Sequence, residues 1–200
     1  MDRRILQVIN YVFFIYAYIL SEATRGVVDN RPFVELWKLR IPPKAAFAWR
    51  LIRNRLPTKA NLRKRQVEIS DVTCPLCNNM EEDAAHLFFQ CSRILPLWWE
   101  SLLWVGKKAV FPQNPIEHFM QHTNGNVYSI KDTRWKCWWI ALTWTIWQHR
   151  NKTVFDTHIF NTRKVMDDAL LLLWSWLKVM EKDFTMHYNQ WSSQLGDVFG

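Results

Sequence analysis

Cys74-Pro75-Leu76-Cys77 is followed by His86 after eight residues and by Cys91 after four more, a C-x2-C-x8-H-x4-C pattern. Thiolate and imidazole are ligands that zinc holds tetrahedrally, at about 2.3 Å for sulfur and about 2.0 Å for nitrogen. The two-residue gap in the first pair lets a tight turn aim both sulfurs at one point. Four protein ligands close the coordination shell and leave no position for an activated water, so the spacing predicts one structural zinc ion and no catalytic metal. Three of the four cysteines fall within eighteen residues beside a histidine, which favours metal over disulfides. Cys137, in Trp135-Lys136-Cys137-Trp138-Trp139, reads as a small buried hydrophobe.

Such a cluster needs elements to aim it. His86 and Cys91 are predicted to share the end of a helix begun by Glu81-Glu82-Asp83, whose carboxylates favour a positive helix terminus. Upstream, Pro42-Pro43 introduces residues 44–56, where Ala45, Ala48, Trp49, Ile52 and Leu56 recur at helical spacing. Leu56-Pro57-Thr58 interrupts that helix, and Thr58 is placed to cap a second through 60–65. Residues 35–65 hold ten basic side chains against one acidic one, Glu35. The resulting basic hairpin offers Arg50, Arg53, Arg55, Lys59, Arg63, Lys64 and Arg65 to phosphates, without sequence reading, so RNA or DNA is the expected partner.

Chelation of the zinc is expected to melt residues 70–92 first. After an apolar run over 95–105, Gly106, Pro112 and Pro115 mark a connector. Two helices, about 133–155 and 162–188, are too rich in Trp and Leu to stand in water and are expected to pack on each other. The fold class is therefore mainly α: a small zinc-knuckle helical domain followed by a Trp-rich helical hairpin or bundle. The predicted divisions are an amino-terminal apolar helix and linker at 1–32, the zinc domain at 33–105 and the Trp-rich region at 106–200.

The chain has 200 residues, 49% hydrophobic and 22% charged, which excludes a disordered composition. Its net charge of +8 fits an anionic partner, although charge alone is a weak argument. Most of the thirteen tryptophans are assigned to core packing, with base stacking as the alternative. Five scattered glycines supply no phosphate loop, so no nucleotide or other small-molecule substrate is predicted. His118 and His122 are spaced i, i+4 but lack the following glutamate of hydrolytic zinc motifs. Asp167-Asp168 imitates a polymerase metal pair but sits in helical sequence. Residues 5–20 follow Asp2-Arg3-Arg4 as a signal-peptide look-alike, shorter than the roughly 20 residues of a membrane span. A core helix is preferred there, and membrane attachment is not expected. A reduced zinc cluster suits nucleus or cytoplasm, against one formal glycosylation sequon at Asn151-Lys152-Thr153.

Residues 37–98 resemble the plant reverse transcriptase zinc-binding domain, a module near the carboxyl end of non-LTR retrotransposon polyproteins. The resemblance rests on Trp37-Lys38, Ile41-Pro42-Pro43-Lys44, Phe47, Trp49-Arg50, Asn54-Arg55-Leu56-Pro57-Thr58, Asn61-Leu62, Arg65, Cys74-Pro75-Leu76-Cys77, Glu82, His86-Leu87-Phe88 and Cys91. It places the family's metal ligands on Cys74, Cys77, His86 and Cys91. Gln66 stands where the family commonly has glycine, and Asp83 where it has a small hydroxyl residue. A weaker similarity covers Trp144-Thr145-Ile146-Trp147, Arg150-Asn151 and Phe155, which resemble segments following this domain in related plant reading frames. The resemblance implies a retroelement fragment without its polymerase, hence no enzymatic activity. The alternatives are a zinc-ordered scaffold for a protein partner docking on the Trp-rich helices, or a relic without selected function.

Overall fold

Phe33 and Leu36, three residues apart, form the buried stripe of α1 (Arg31–Lys38) in the computed structural model, which describes residues 31–39, 41–106, 112–121 and 129–199. The expectations for the amino-terminal apolar segment and for His122 lie outside these residues. Next comes α2 (Pro42–Ile52), its first turn preset by proline, which buries Ala45, Ala48, Trp49, Leu51 and Ile52. It stops at Ile52 rather than at 56 because Asn54 takes a left-handed φ of 50° and the Arg55 N–H bonds back to the Arg50 carbonyl at 2.7 Å.

Thr58 caps α3 (Lys59–Lys64) as expected, its hydroxyl accepting from the Asn61 N–H at 3.3 Å. The buried Asn61 amide turns back into the loop and donates to the Asn54 carbonyl, the Asn54 side chain and the Leu56 carbonyl at 2.9–3.0 Å. Where α3 ends, the Val67 N–H reaches the Leu62 carbonyl and the Gln66 N–H the Arg63 carbonyl, with Gln66 at φ 62°. This is a Schellman termination, and its left-handed residue explains why glycine suits position 66.

Four further segments surround a central rod. These are α4 (Leu95–Trp104), α5 (Pro115–Met120, capped by Asn114), α8 (Tyr188–Ser193) and α9 (Leu195–Phe199). The rod is α6 (Ile130–Phe155), which the Ser129 cap starts three residues before the expected 133. Its partner is α7 (Thr162–Met180), capped by Asn161. The expected helix over 162–188 is thus divided: backbone at Glu181 leaves helical geometry, and the Trp174 indole N–H holds the returning chain at the Met186 carbonyl, 3.1 Å.

Arg134 near the start of α6 grips Glu181 after α7 at 2.6 and 2.9 Å, while His149 near its end lies 2.9 Å from Asp168, so the two helices run antiparallel. Because α6 is apolar on nearly every side, it must be enclosed. Its Trp144 meets Phe47 of α2 at 5.1 Å between ring centres, Trp138 meets Trp104 of α4 at 5.0 Å, Trp139 meets Phe119 of α5 at 5.1 Å and Trp135 meets Phe199 of α9 at 6.3 Å. A part-buried Lys136–Glu35 pair at 2.6 Å adds α1. One continuous core therefore runs from Phe33 to Phe199, across the connector near 106–115. Among the described residues there is no strand beyond an isolated Thr73–Glu81 bridge, and no helix is long and apolar enough to cross a membrane.

Candidate metal centre

The first ligand pair sits on a small hairpin. Its arms are joined by Cys74 N–H to the Met80 carbonyl at 2.7 Å and Glu82 N–H to the Val72 carbonyl at 2.9 Å. Asn78, at φ 53°, closes the turn by donating its N–H to the Cys74 carbonyl at 2.8 Å, which folds Cys77 back over Cys74. Asparagine tolerates that left-handed conformation better than most residues.

The second pair departs from expectation. The main element from His86 is a π turn, His86–Gln90, closed by the Cys91 N–H on the His86 carbonyl at 2.8 Å, not an α-helix begun at Glu81. Five residues of α-helix would set the two side chains about 140° apart. The wider i to i+5 closure brings them to one side. The three acidic residues before it also separate in role. Only Asp83 accepts the His86 N–H, at 2.7 Å, replacing a hydroxyl cap; Glu81 pairs with Arg63 at 2.6 Å; Glu82 turns into the core.

The four ligand atoms of Cys74, Cys77, His86 and Cys91 all lie within 4.8 Å of one another, with Cys77 Sγ 3.3 Å from His86 Nε2. A tetrahedral zinc site would separate sulfur from sulfur by about 3.8 Å and sulfur from nitrogen by about 3.6 Å. Adjustments of an ångström or less therefore suffice, and the donor set fits zinc. Cys74 and Cys91 are fully buried. A hydrogen bond from Cys91 is the main cause pulling the Cys74 thiol down to about 5, against the effect of burial. The same bond, with burial, pushes Cys91 upward. A divalent cation ligated by both thiolates would take the place of that hydrogen bond.

The candidate phosphate contacts divide. Arg50, Arg55, Lys64 and Arg65 are exposed, with Arg55 5.7 Å over the Trp49 ring and Arg65 donating to the Arg55 carbonyl at 3.2 Å. Arg53 lies 4.5 Å over Phe33. Lys59 and Arg63 instead tie α3 to the knuckle: Lys59 Nζ bonds Asp71 at 2.8 Å and the Thr73 carbonyl at 2.9 Å, and Arg63 bonds Glu81.

The histidine, the aspartate pair and the fourth cysteine singled out by the sequence serve packing and surface pairing instead. Buried His118 accepts the Trp139 indole N–H at 3.1 Å through Nδ1. Asp167 and Asp168 lie on α7 beside Arg163 and Lys164. Burial pushes the Cys137 thiol up to about 12. Of the thirteen tryptophans Trp99 alone is mostly exposed, at 53%, and it stands on α4 rather than on the basic hairpin.

Sequence reading missed the closest support of the knuckle. Arg150 grips Glu82 with two prongs, Nη2 to Oε1 at 2.7 Å and Nε to Oε2 at 3.1 Å, and both side chains are almost completely buried. Burial raises the Glu82 carboxyl, with Arg150 and the Lys59 N–H opposing and the nearby Cys74 sulfur adding to the rise. The available signal was Arg150 lying shortly after the apolar run that ends at Trp147.

No curated protein and no solved structure matches the chain. Residues 15–98 match the family model described as zinc-binding in reverse transcriptase, a segment that contains α1 to α3, the π turn and all four converging ligands. Residues 15–98 are thus similar to the zinc-binding domain of reverse transcriptase, and the three sulfurs and one imidazole converge within that segment.

Proposed function

We propose that the chain is a non-catalytic module in which one structural zinc ion, held by Cys74, Cys77, His86 and Cys91, orders a basic helical hairpin that contacts RNA or DNA phosphates. The observation that carries this reading is the pair of ties from α3 to the knuckle, Lys59 to Asp71 and Arg63 to Glu81, which leave Arg50, Arg55, Lys64 and Arg65 on the surface. The zinc supplies cross-linking alone, since four protein ligands leave no open position. The absence of an exposed tryptophan on this hairpin favours phosphate contact over base stacking.

Anisotropy titration of a labelled oligonucleotide across salt concentrations tests the proposal. Each phosphate contact contributes a slope of about 0.7 for a single strand or about 0.9 for a duplex, so Lys64→Gln with Arg65→Gln should lower it by roughly 1.4 for a single strand or roughly 1.8 for a duplex. No binding at low salt would reject nucleic-acid contact and leave the metal assignment standing. A second reading, a docking surface for a protein partner, is supported by Trp99 and Leu103, which lie one turn apart and exposed on α4.

A further inference from the structure

We infer that the metal centre does not end with the matched segment: Arg150, on α6, is a positioning residue for the zinc knuckle, acting through Glu82. The weaker similarity around Arg150-Asn151 thereby acquires a physical task.

Glu82 is the node. Its N–H holds the Val72 carbonyl and so closes the hairpin that carries Cys74 and Cys77. Its carbonyl accepts the Ala60 N–H and its Oε1 the Lys59 N–H, fastening the first turn of α3. Four residues later comes His86. A displacement of Glu82 therefore moves both ligand pairs relative to each other. What prevents it is the two-pronged guanidinium, itself fixed 5.0 Å over the Trp147 ring and by Asn151 Oδ1 at 3.0 Å.

Charge gives a second reason. Three thiolates and one divalent ion leave one negative charge in excess, and Glu82, with no exposed surface, adds another beside Cys74. Buried charge of one sign persists only when paired. Arg150 is a buried cation in contact with that carboxylate. Removing it leaves Glu82 unpaired beside an anionic centre, and Glu82 must then shift, taking the hairpin with it. Groups that orient metal ligands from outside the coordination shell typically change affinity 10- to 100-fold when lost.

The inference rests on the zinc half of the proposed function, and the full-length parent protein separates the two. Zinc affinity is measured by competition with a chromophoric chelator, and ligand geometry by the visible absorption of the cobalt(II)-substituted protein. Arg150→Met should weaken zinc 10- to 100-fold, and adding Glu82→Gln should recover most of the loss by removing the unpaired charge. Arg150→Lys, which keeps the charge but cannot span both oxygens, should bind several-fold more weakly with a shifted cobalt spectrum. It supplies the result should Arg150→Met not fold. Parental affinity and spectrum in Arg150→Lys, or a double variant no better than Arg150→Met, would overturn the inference while leaving the zinc site intact. A parent protein that takes up no zinc would remove both.

Discussion

The knuckle, residues 72–91, and the α6–α7 hairpin are held by different forces. Along α6, side chains from Trp135 to Ile146 are nearly all buried, and rings from four other helices pack on them. In the knuckle's first arm, Asn78, Asn79, Met80 and Glu81 are exposed, and cohesion comes from a few backbone bonds and the buried Cys74 and Leu76. Its second arm is a hybrid: Leu87, Phe88 and Phe89 anchor the π turn in the main core, with Phe88 6.3 Å from both Phe47 and Trp147. The difference teaches that a metal held by these four residues would matter most where apolar burial is scarcest. Chelation is therefore expected to release residues 72–82 before 86–91, narrower than the 70–92 that spacing alone suggests.

The comparison breaks first at the ligands. Cys91→Ser should lose metal affinity by more than the 10- to 100-fold of a supporting residue. Hydrogen exchange on that variant, or on chelated parent, should show the amides of Cys74, Asn78 and Glu82 losing protection while Leu87 to Phe89 and α6 keep theirs. Uniform loss along the chain would show that metal and core are one cooperative unit. Trp138→Ala should do the reverse, costing about 3–5 kcal/mol in urea unfolding with zinc stoichiometry unchanged. Its indole also loses a 3.0 Å bond to the buried Ser101 hydroxyl.

Smaller changes sharpen the boundary between the regions. Asn61→Ala removes the amide that bridges the Asn54 and Leu56 carbonyls, the latter keeping the Thr58 N–H, and should cost about 0.5–1.5 kcal/mol, weakening oligonucleotide binding through the hairpin turn before it affects zinc. Gln66→Gly should stabilise by about 0.5–1 kcal/mol, since glycine accepts φ 62° without the side-chain clash, net of its greater freedom when unfolded. For a chain of this size that is a rise of roughly 1–4 °C in melting temperature, and a fall would refute the strain at position 66.

Much of this was legible residue by residue. Thr58 as a cap, the stripe Ala45, Ala48, Trp49 and Ile52, the convergence of Cys74, Cys77, His86 and Cys91 and the burial of most tryptophans follow from interactions a few residues long or from side-chain apolarity. Helix ends were less legible. Asn54 stopped α2 early through a left-handed turn stabilised by Asn61, seven residues on, and Glu181 divided a periodic stretch that apolarity alone would have continued. The π turn was hidden because His86 to Cys91 has no sequence mark distinguishing i+4 from i+5 closure.

The identity and order of the four candidate ligands and the basic character of the hairpin belong to the sequence itself, because each depends on residue type and short spacing. Which basic side chains remain at the surface, and which are consumed in tying α3 to the knuckle, was decided by tertiary structure. So was the grip of Arg150 on Glu82, 68 residues away. The physical reason is that charge pairing across such a separation depends on where the intervening helices pack, and the energy selecting that arrangement resides in the aromatic core rather than in the paired residues.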